Sequence, residues 1–250
     1  MTVAEEHSEE LWVCHLGTID YAHAVAIQER LRALRLAGEL PDVLLLLEHP
    51  PVYTRGRRSG AQDLPFGEDF YRAKGIEVHS TDRGGKLTYH APGQLVGYPI
   101  MAIADIGEYL RTMEAALIEA LAAIGISARS RHREGIDYTG VWVAERKIAS
   151  IGVHVSRGVT THGFAVNVDN DLEPFSWVLA CGLPDVLMTS AALERASEEH
   201  PSLERFRALV AERFASAHGR ATRTVTAARL GLDATERPQE IDRRVEVLAR

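Results

Sequence analysis

Two side chains in this sequence could together carry out acyl transfer, namely the thiol of Cys181 and the amine of Lys147. Cys181 follows an apolar run and is followed at once by Gly182, which interrupts regular structure, so we expect the thiol on a turn. A thiolate attacks an acyl carbonyl far better than a thiol, and it needs a base or a cation nearby. Lys147 lies at a predicted hairpin and is followed by small and apolar residues, where partial loss of water favours a neutral amine that can accept a proton. The residue types leave a simpler interpretation open, because lone cysteines often pack in cores and hairpin lysines are usually solvated.

A second candidate region is the segment 82–95, which combines three glycines and a proline with several polar side chains. Such a composition suits the close approach of a backbone to a ligand. The Gly84-Gly85 pair after Arg83 could hold a phosphate, but it matches neither a P-loop nor a dinucleotide-binding fingerprint, and a plain turn is the alternative.

Three histidines are candidates for metal binding, proton transfer or substrate positioning, namely His90, His154 and His162. No pair of them has the spacing of a zinc motif, so we expect no metal. His154 alternates along a predicted strand and is assigned a structural hydrogen bond. His90 lies two residues before Pro92 and His162 directly before Gly163, so these two are the better candidates for a pocket wall.

Composition favours one α/β catalytic domain, which we place at residues 10–220, followed by a tail of unknown role at residues 221–250. The two cysteines, Cys14 and Cys181, lack CxxC spacing, so neither a disulfide nor a cysteine-rich metal site is expected, and a cytoplasmic location fits.

The net charge of −7 argues against nucleic acid as a partner. The longest aliphatic run, residues 43–47, is too short to cross a membrane, and the acidic first ten residues do not resemble a secretory signal.

Two basic clusters stand out against the acidic average, and they could dock an acidic partner or simply be solvated beside local carboxylates. They consist of Arg55, Arg57 and Arg58, and of Arg129, Arg131, His132 and Arg133.

Hydrophobic periodicity predicts the elements that must position these side chains. A helix is expected from Tyr21 towards residue 37 with Asp20 as its cap, a second over residues 105–124, and a third starting after Ser202. The aliphatic run 43–47 is typical of a central strand buried on both faces. Short alternating runs between residues 141 and 168 indicate antiparallel hairpins, whereas residues 54–75 show no periodicity and are predicted to be a long loop. The fold class is therefore α/β (α+β), with a mixed central sheet and flanking helices.

Four motifs closely resemble the lipoyl(octanoyl) transferase family in their order and spacing. The motifs are Arg83-Gly84-Gly85-Lys86-Leu87-Thr88-Tyr89-His90-Ala91-Pro92-Gly93-Gln94-Leu95-Val96-Gly97-Tyr98-Pro99, Lys147-Ile148-Ala149-Ser150-Ile151-Gly152, His162-Gly163-Phe164-Ala165-Val166-Asn167 and Ala180-Cys181-Gly182. The resemblance extends from about residue 11 to residue 189. Two positions depart from the family pattern: Ala91 stands where glycine is usual, and Ala180 where proline is common.

The resemblance implies a fold similar to that of biotin and lipoate protein ligases. It also implies transfer of an octanoyl group from the phosphopantetheine of acyl carrier protein to a lysine of lipoyl domains, in 2-oxoacid dehydrogenase complexes and in the glycine cleavage H protein. Cys181 would be the nucleophile and Lys147 its proton-transfer partner, with neither ATP nor metal required. The acyl and substrate pocket would be lined by Arg83, Gly84, Gly85, Lys86, Leu87, Thr88, Tyr89, His90, Ser150, Ile151, Gly152, His162, Gly163 and Phe164.

Two competing functions remain open at this point. An ATP-dependent lipoate or biotin protein ligase would share the fold but activate a free acid. A non-catalytic acyl or carrier-protein binding module would hold lipid in the pocket while Cys181 only packs, and its activity would not depend on the thiol.

Overall fold

The computed structural model describes residues 9–179, 186–195 and 202–232. In chain order, its strands are β1 (Glu10–Thr18), β2 (Asp42–Glu48), β3 (Val52–Arg55), β4 (Glu77–Ser80), β5 (Leu87–His90), β6 (Gln94–Ile100), β7 (Arg129–Ser130), β8 (Gly140–Val143), β9 (Arg146–Ser156), β10 (Val159–Asn167), β11 (Leu187–Met188) and β12 (Ala221–Thr224). The α-helices are α1 (Tyr21–Leu36), α2 (Glu68–Ala73), α3 (Ile106–Ala122), α4 (Ala191–Glu194) and α5 (Leu203–Ala217). None of these helices is long and apolar enough to cross a membrane.

A mixed sheet forms the centre of the protein, as the sequence predicted. Its strands follow the order β12-β1-β2-β6-β10-β9-β8-β7, and β11 pairs with β9 as well. Strand β1 runs parallel to both of its neighbours, β2 and β12, whereas β2, β6, β10, β9, β8 and β7 follow one another in antiparallel pairs. The predicted hairpins between residues 141 and 168 are confirmed as β8, β9 and β10.

Strand β2 lies inside the sheet and is buried on both faces, which confirms the prediction from its aliphatic run. Because side chains alternate along a strand, Leu45 packs towards one core and Leu44 towards the other. The first core also contains Ile27 and Leu31 of α1. The second contains apolar residues of α3 and α5, such as Leu117. The sheet is thus covered by helices on both faces.

Side-chain caps start three helices where the sequence predicted. The side chain of Asp20 accepts a hydrogen bond from the backbone N–H of His23 at the start of α1, and Ser202 accepts one from Arg205 at the start of α5. Asp105 caps α3 in the same way. These caps satisfy backbone groups that the first helical turn leaves without partners.

The prediction of a long loop at residues 54–75 is wrong. This segment contains the end of β3, a 3₁₀ turn at Ala61–Asp63 and the six-residue helix α2. A helix of fewer than two turns gives too little repeat for a periodicity signal. Strand β3 joins β4 and β5 in a small second sheet that carries the glycine-rich segment.

The described part of the predicted tail begins with a strand. Ala221–Thr224 forms β12 and pairs with β1 at the edge of the main sheet. The next turn, Ala227–Leu230, contributes Leu230 to the core beside α1.

Gly97 predicts a measurable effect on stability. It lies opposite Phe164 in the pairing of β6 with β10, and a Cβ atom at this position would stand 2.1 Å from Cζ of the phenylalanine ring. Because both residues are enclosed, we expect Gly97→Ala to lower the free energy of unfolding by about 1–3 kcal/mol. Urea denaturation measures it. Adding Phe164→Leu should recover part of the loss, and a double variant no more stable than Gly97→Ala would contradict this explanation.

Candidate functional site

A cavity of about 230 Å³ lies where the glycine-rich segment meets β9, β10 and the start of α3. Most of its walls are apolar, and its volume exceeds that of an apolar cavity of roughly 150 Å³ known to hold benzene. Most predicted substrate-binding residues line it: Arg83, Gly84, Gly85, Lys86, Leu87, Thr88, His90, Ser150, Ile151, Gly152, His162, Gly163 and Phe164. Residues of three of the four sequence motifs therefore line one apolar space that is large enough for an aliphatic chain.

Tyr89 lies elsewhere. It alternates with Thr88 and His90 along β5, and its ring packs against Tyr53 and Phe175 in a separate small core. Side chains alternate across a strand, so a continuous motif cannot place all of its residues on one wall.

Several lining residues were not predicted from the sequence. They are Tyr21, Arg58, Tyr98, Ile106, Leu110, Ile136, Asp137, Thr139, Val153 and Ala165. Ile106 and Leu110 fall within the helix predicted over residues 105–124, where helical spacing of apolar residues indicates packing and not a cavity wall. Ile136 begins a 3₁₀ turn, Ile136–Tyr138, and is 66% exposed, a position that hydrophobic periodicity does not reveal.

Arg83 holds the glycine-rich segment against the small sheet. Its guanidinium donates to the backbone oxygen of Thr54 at 2.6 Å and to the hydroxyl of the same threonine at 2.8 Å. A third bond, at 2.9 Å, reaches the backbone oxygen of Gly84, whose own N–H donates to the backbone oxygen of Val153 on β9. The arginine therefore fixes the shape of the cavity wall.

A buried chain of hydrogen bonds joins the first motif to the third. Nδ1 of His90 lies 2.7 Å from Oε1 of Gln94, and the amide nitrogen of Gln94 donates to Oδ1 of Asn167. Asn167 in turn donates to the backbone oxygen of Thr189, and the N–H of Thr189 donates to the backbone oxygen of Lys147. An amide oxygen can only accept, so Nδ1 of His90 carries the proton. Burial lowers the pKa of His90 well below its usual value, which keeps the ring neutral.

His162 stands at the cavity wall in an uncommon backbone conformation, with φ of +57°. Its backbone N–H donates to Oε1 of Gln28 at 2.6 Å, and its ring Nε2 lies 2.8 Å from Oδ1 of Asp82. The bond from His162 lowers the pKa of Asp82 to about 2, while burial lowers the pKa of His162 itself. A neutral His162 thus donates to an ionised Asp82, and His154 reaches the second oxygen of that carboxylate at 3.4 Å.

Buried histidines near the cavity predict that the fold weakens in acid. His49 is fully enclosed between the backbone oxygen of Ile19 and the hydroxyl of Tyr98, and burial lowers its pKa to about 4. In the unfolded chain the imidazole of His49 binds a proton near pH 6.5, whereas in the folded chain it does not. Its contribution to the free energy of unfolding is therefore fully present above pH 6.5 and is lost as the pH falls towards 4. The contribution of His49 is roughly 3 kcal/mol. Urea denaturation at several pH values should show that the free energy of unfolding falls less in acid for His49→Gln than for the wild type. An equal fall in both proteins would contradict the prediction.

Lys147 lies on β9, three residues before Ser150 of the cavity wall, and is 2% exposed. Its Nζ stands 5.1 Å from the centre of the Trp142 ring. Cys181 lies outside the described residues. The described chain that follows it forms β11, where Met188 pairs with Lys147.

Four of the six arginines in the two basic clusters contact nearby carboxylates, among them Arg55, which reaches Glu68 at 3.0 Å. Arg58 reaches Asp137 at 2.7 Å, and Arg131 reaches Glu145 at the same distance. Arg129 also contacts Glu145. Docking of an acidic partner at these clusters stays a prediction.

Comparison with known proteins shows which family the chain is similar to. The family model of the lipoyl protein ligase A/B catalytic domain matches residues 20–215. The octanoyltransferase of Solibacter usitatus is 50% identical over 182 residues, which cover 71% of this chain and 81% of that protein. The mitochondrial octanoyltransferase of Arabidopsis thaliana is 40% identical over 189 residues, covering 74% and 78%.

Among solved structures, the bi-partite lipoate protein ligase from Thermoplasma acidophilum is similar with a TM-score of 0.71 and 19% identity, covering 97% of this chain and 93% of that one. At this identity the likeness shows the fold, which agrees with the predicted class. The family match and the relatives at 40–50% identity go further: the chain belongs to the lipoyl protein ligase A/B catalytic domain family and, within it, to the octanoyltransferases, which are transferase enzymes.

Proposed function

We propose that this enzyme transfers an octanoyl group from octanoyl-acyl carrier protein to a specific lysine of lipoyl domains, through a thioester on Cys181. The observation that carries the proposal is an apolar cavity lined by residues of three of the family motifs, one of which, Ser150, lies on the same strand as buried Lys147. The proposed acceptors are the lipoyl domains of 2-oxoacid dehydrogenase complexes and the glycine cleavage H protein. The reaction would serve protein lipoylation.

In the first step, the Cys181 thiolate attacks the carbonyl carbon of the incoming thioester. A new carbon–sulfur bond forms, the bond to the phosphopantetheine sulfur breaks, and the ammonium of Lys147 gives its proton to the departing thiolate. The products are octanoyl-Cys181, a free carrier thiol and a neutral Lys147. An apolar wall around the octanoyl chain favours this acyl group by removing it from water.

In the second step, the amine of the acceptor lysine attacks the octanoyl-cysteine carbonyl. The carbon–nitrogen bond forms, the bond to Cys181 breaks, and neutral Lys147 takes the proton that the nitrogen loses. The enzyme returns to a thiolate and an ammonium. Because the donor is already a thioester, we propose that neither ATP nor a metal takes part.

Intact-protein mass spectrometry tests the proposal. The purified enzyme is mixed with octanoyl-acyl carrier protein without ATP, the modified peptide is mapped, and a lipoyl domain is then added. We expect one octanoyl group on Cys181 that moves to the acceptor lysine. The other cysteine, Cys14, is an internal control that should carry no octanoyl group. It is buried on β1, and burial raises the pKa of its thiol to about 11.

The alternatives give different results in the same experiment. Acceptor modification that requires ATP and free octanoate, with no cysteine adduct, would indicate an ATP-dependent ligase. No adduct and no acceptor modification under either condition, with a donor validated on another enzyme, would leave a binding module and overturn the transferase proposal.

A further inference from the structure

Trp142 and Lys147 form a cross-strand pair that the regular register of their hairpin would not produce. Strand β8 pairs with β9 through Gly140 opposite Ser150 and Val141 opposite Ala149, and the register then shifts so that Trp142 stands opposite Lys147. Ile148 is the extra residue of this β-bulge. Bulges redirect side chains, because a shift of one residue exchanges the faces of a strand. The bulge therefore decides which neighbours surround Lys147.

The indole of Trp142 is fully buried and contacts two cations. Nζ of Lys147 lies 5.1 Å from the ring centre, and the guanidinium carbon of Arg131 lies 4.6 Å from it. The indole N–H donates to the backbone oxygen of Tyr138 at 2.9 Å, which fixes the plane of the ring. Both cations stand within the distance at which an aromatic ring attracts a positive charge.

The stem of Lys147 is confined as well. A Cβ atom on Gly140 would stand 2.4 Å from the backbone oxygen of Ala149 and 2.8 Å from Cε of Lys147, so the glycine leaves the space that the lysine stem uses. The N–H of Gly140 donates to Oε1 of Glu114, a buried carboxylate on α3 that Arg111 also contacts. Gly140 and Trp142 are thus held by their own partners, and the lysine chain fits between them.

We propose that Trp142 is a positioning residue for Lys147, and that its ring holds the ε-amino group in place and stabilises it as an ammonium. The inference rests on the proposed function, in which neutral Lys147 takes a proton from the attacking amine. An ammonium forms in that step, and the ring attracts the ammonium more strongly than the neutral amine. The indole therefore stabilises the state that follows proton transfer.

Graded fluorination of one tryptophan tests this proposal with little change in shape. Fluorine withdraws electrons from the ring face, so mono-, di- and trifluorotryptophan introduced at position 142 weaken the attraction for a cation stepwise. The quantity measured is the rate constant for transfer from octanoyl-Cys181 to a lipoyl domain, together with the KM for that domain. We expect the rate constant to fall at each step, by about tenfold over the series, with KM unchanged.

Trp12 provides a matched control. Its ring also contacts two cations, with Arg223 at 5.6 Å and Arg229 at 5.1 Å from the ring centre, but it lies on β1 in the core beside α1. The same fluorinated residues at position 12 should leave the rate constant unchanged. An equal fall at both positions would show a general effect on the fold and overturn the proposal.

Arg131 requires its own control, because fluorination weakens its contact with the same ring. The series is therefore repeated in Arg131→Gln. We expect the rate constant for transfer still to fall at each step of fluorination. A rate constant that does not change with fluorination in this variant would assign the effect to Arg131 and overturn the role for Lys147.

Two simple variants keep the proposal testable without fluorinated residues. Trp142→Phe retains an aromatic face and should keep more of the transfer rate than Trp142→Leu, with both proteins checked for folding by circular dichroism. Equal rates in the two variants would contradict the proposal.

If wild-type enzyme transfers octanoyl groups and Lys147→Met does not, yet fluorination has no effect, the inference fails while the proposed function stands. If wild-type enzyme forms no octanoyl-cysteine, both fail.

Discussion

Cys181→Ala should abolish octanoyl transfer, with a loss of about 10⁴-fold or more in kcat, because the acyl group then has no covalent carrier. The same variant should show no octanoyl adduct in the mass spectrum, even after long incubation with octanoyl-acyl carrier protein. Rates are measured by the appearance of octanoylated lipoyl domain under excess donor.

Cys14 supplies the control for this experiment, since the sequence contains two cysteines. Cys14→Ala removes a buried thiol from β1 and leaves the cavity residues in place. It should retain the cysteine adduct and a kcat close to that of the wild type, apart from a modest loss of stability. Substantial transfer by Cys181→Ala, or loss of the adduct in Cys14→Ala alone, would contradict the assignment of the nucleophile.

Lys147→Met should lower kcat by about 10²–10⁴-fold, the range expected when a general acid or base is removed. Methionine keeps the length and apolar stem of the buried lysine, which lies against Gly140 and Trp142, and it removes the amine alone. Because burying an amine costs free energy, the variant should fold and be at least as stable as the wild type. Steady-state kinetics and urea denaturation measure the two effects.

Lys74→Met is the matched control for this loss. Nζ of Lys74 also lies over aromatic rings, 5.9 Å from Phe70 and 5.7 Å from Trp177, but it stands on the small sheet side of the protein at the end of α2. Its replacement should leave kcat unchanged. If Lys147→Met keeps the wild-type rate, Lys147 transfers no proton in the slow step.

The local sequence was enough to predict the main elements. The apolar stripe and the Asp20 cap define α1, and the aliphatic run of β2 defines a strand buried on both faces. These features depend on residues close together in the chain, so their physical causes can be recognised without the fold. The four motifs likewise indicated the family, because their order and spacing are themselves properties of the sequence.

The arrangement of the site depends on contacts between distant segments. Tyr89 belongs to the longest motif, yet it packs away from the cavity beside Phe175, since the pairing of β5 sets the direction of each side chain. Ile106 and Ile136 join the cavity from separate parts of the chain. No local pattern marks such residues as part of a cavity wall.

The partners of Lys147 show where the sequence alone stops. Its type and its surroundings identified it as a candidate for proton transfer. Its place beside Trp142 required the bulge at Ile148, and its confinement required Gly140, which is held in turn by Glu114 on a distant helix. The sequence by itself determined which chemical groups are present and which elements carry them. Only the tertiary structure decided which groups meet, because strand register and packing across the sheet are set by residues far apart in the chain.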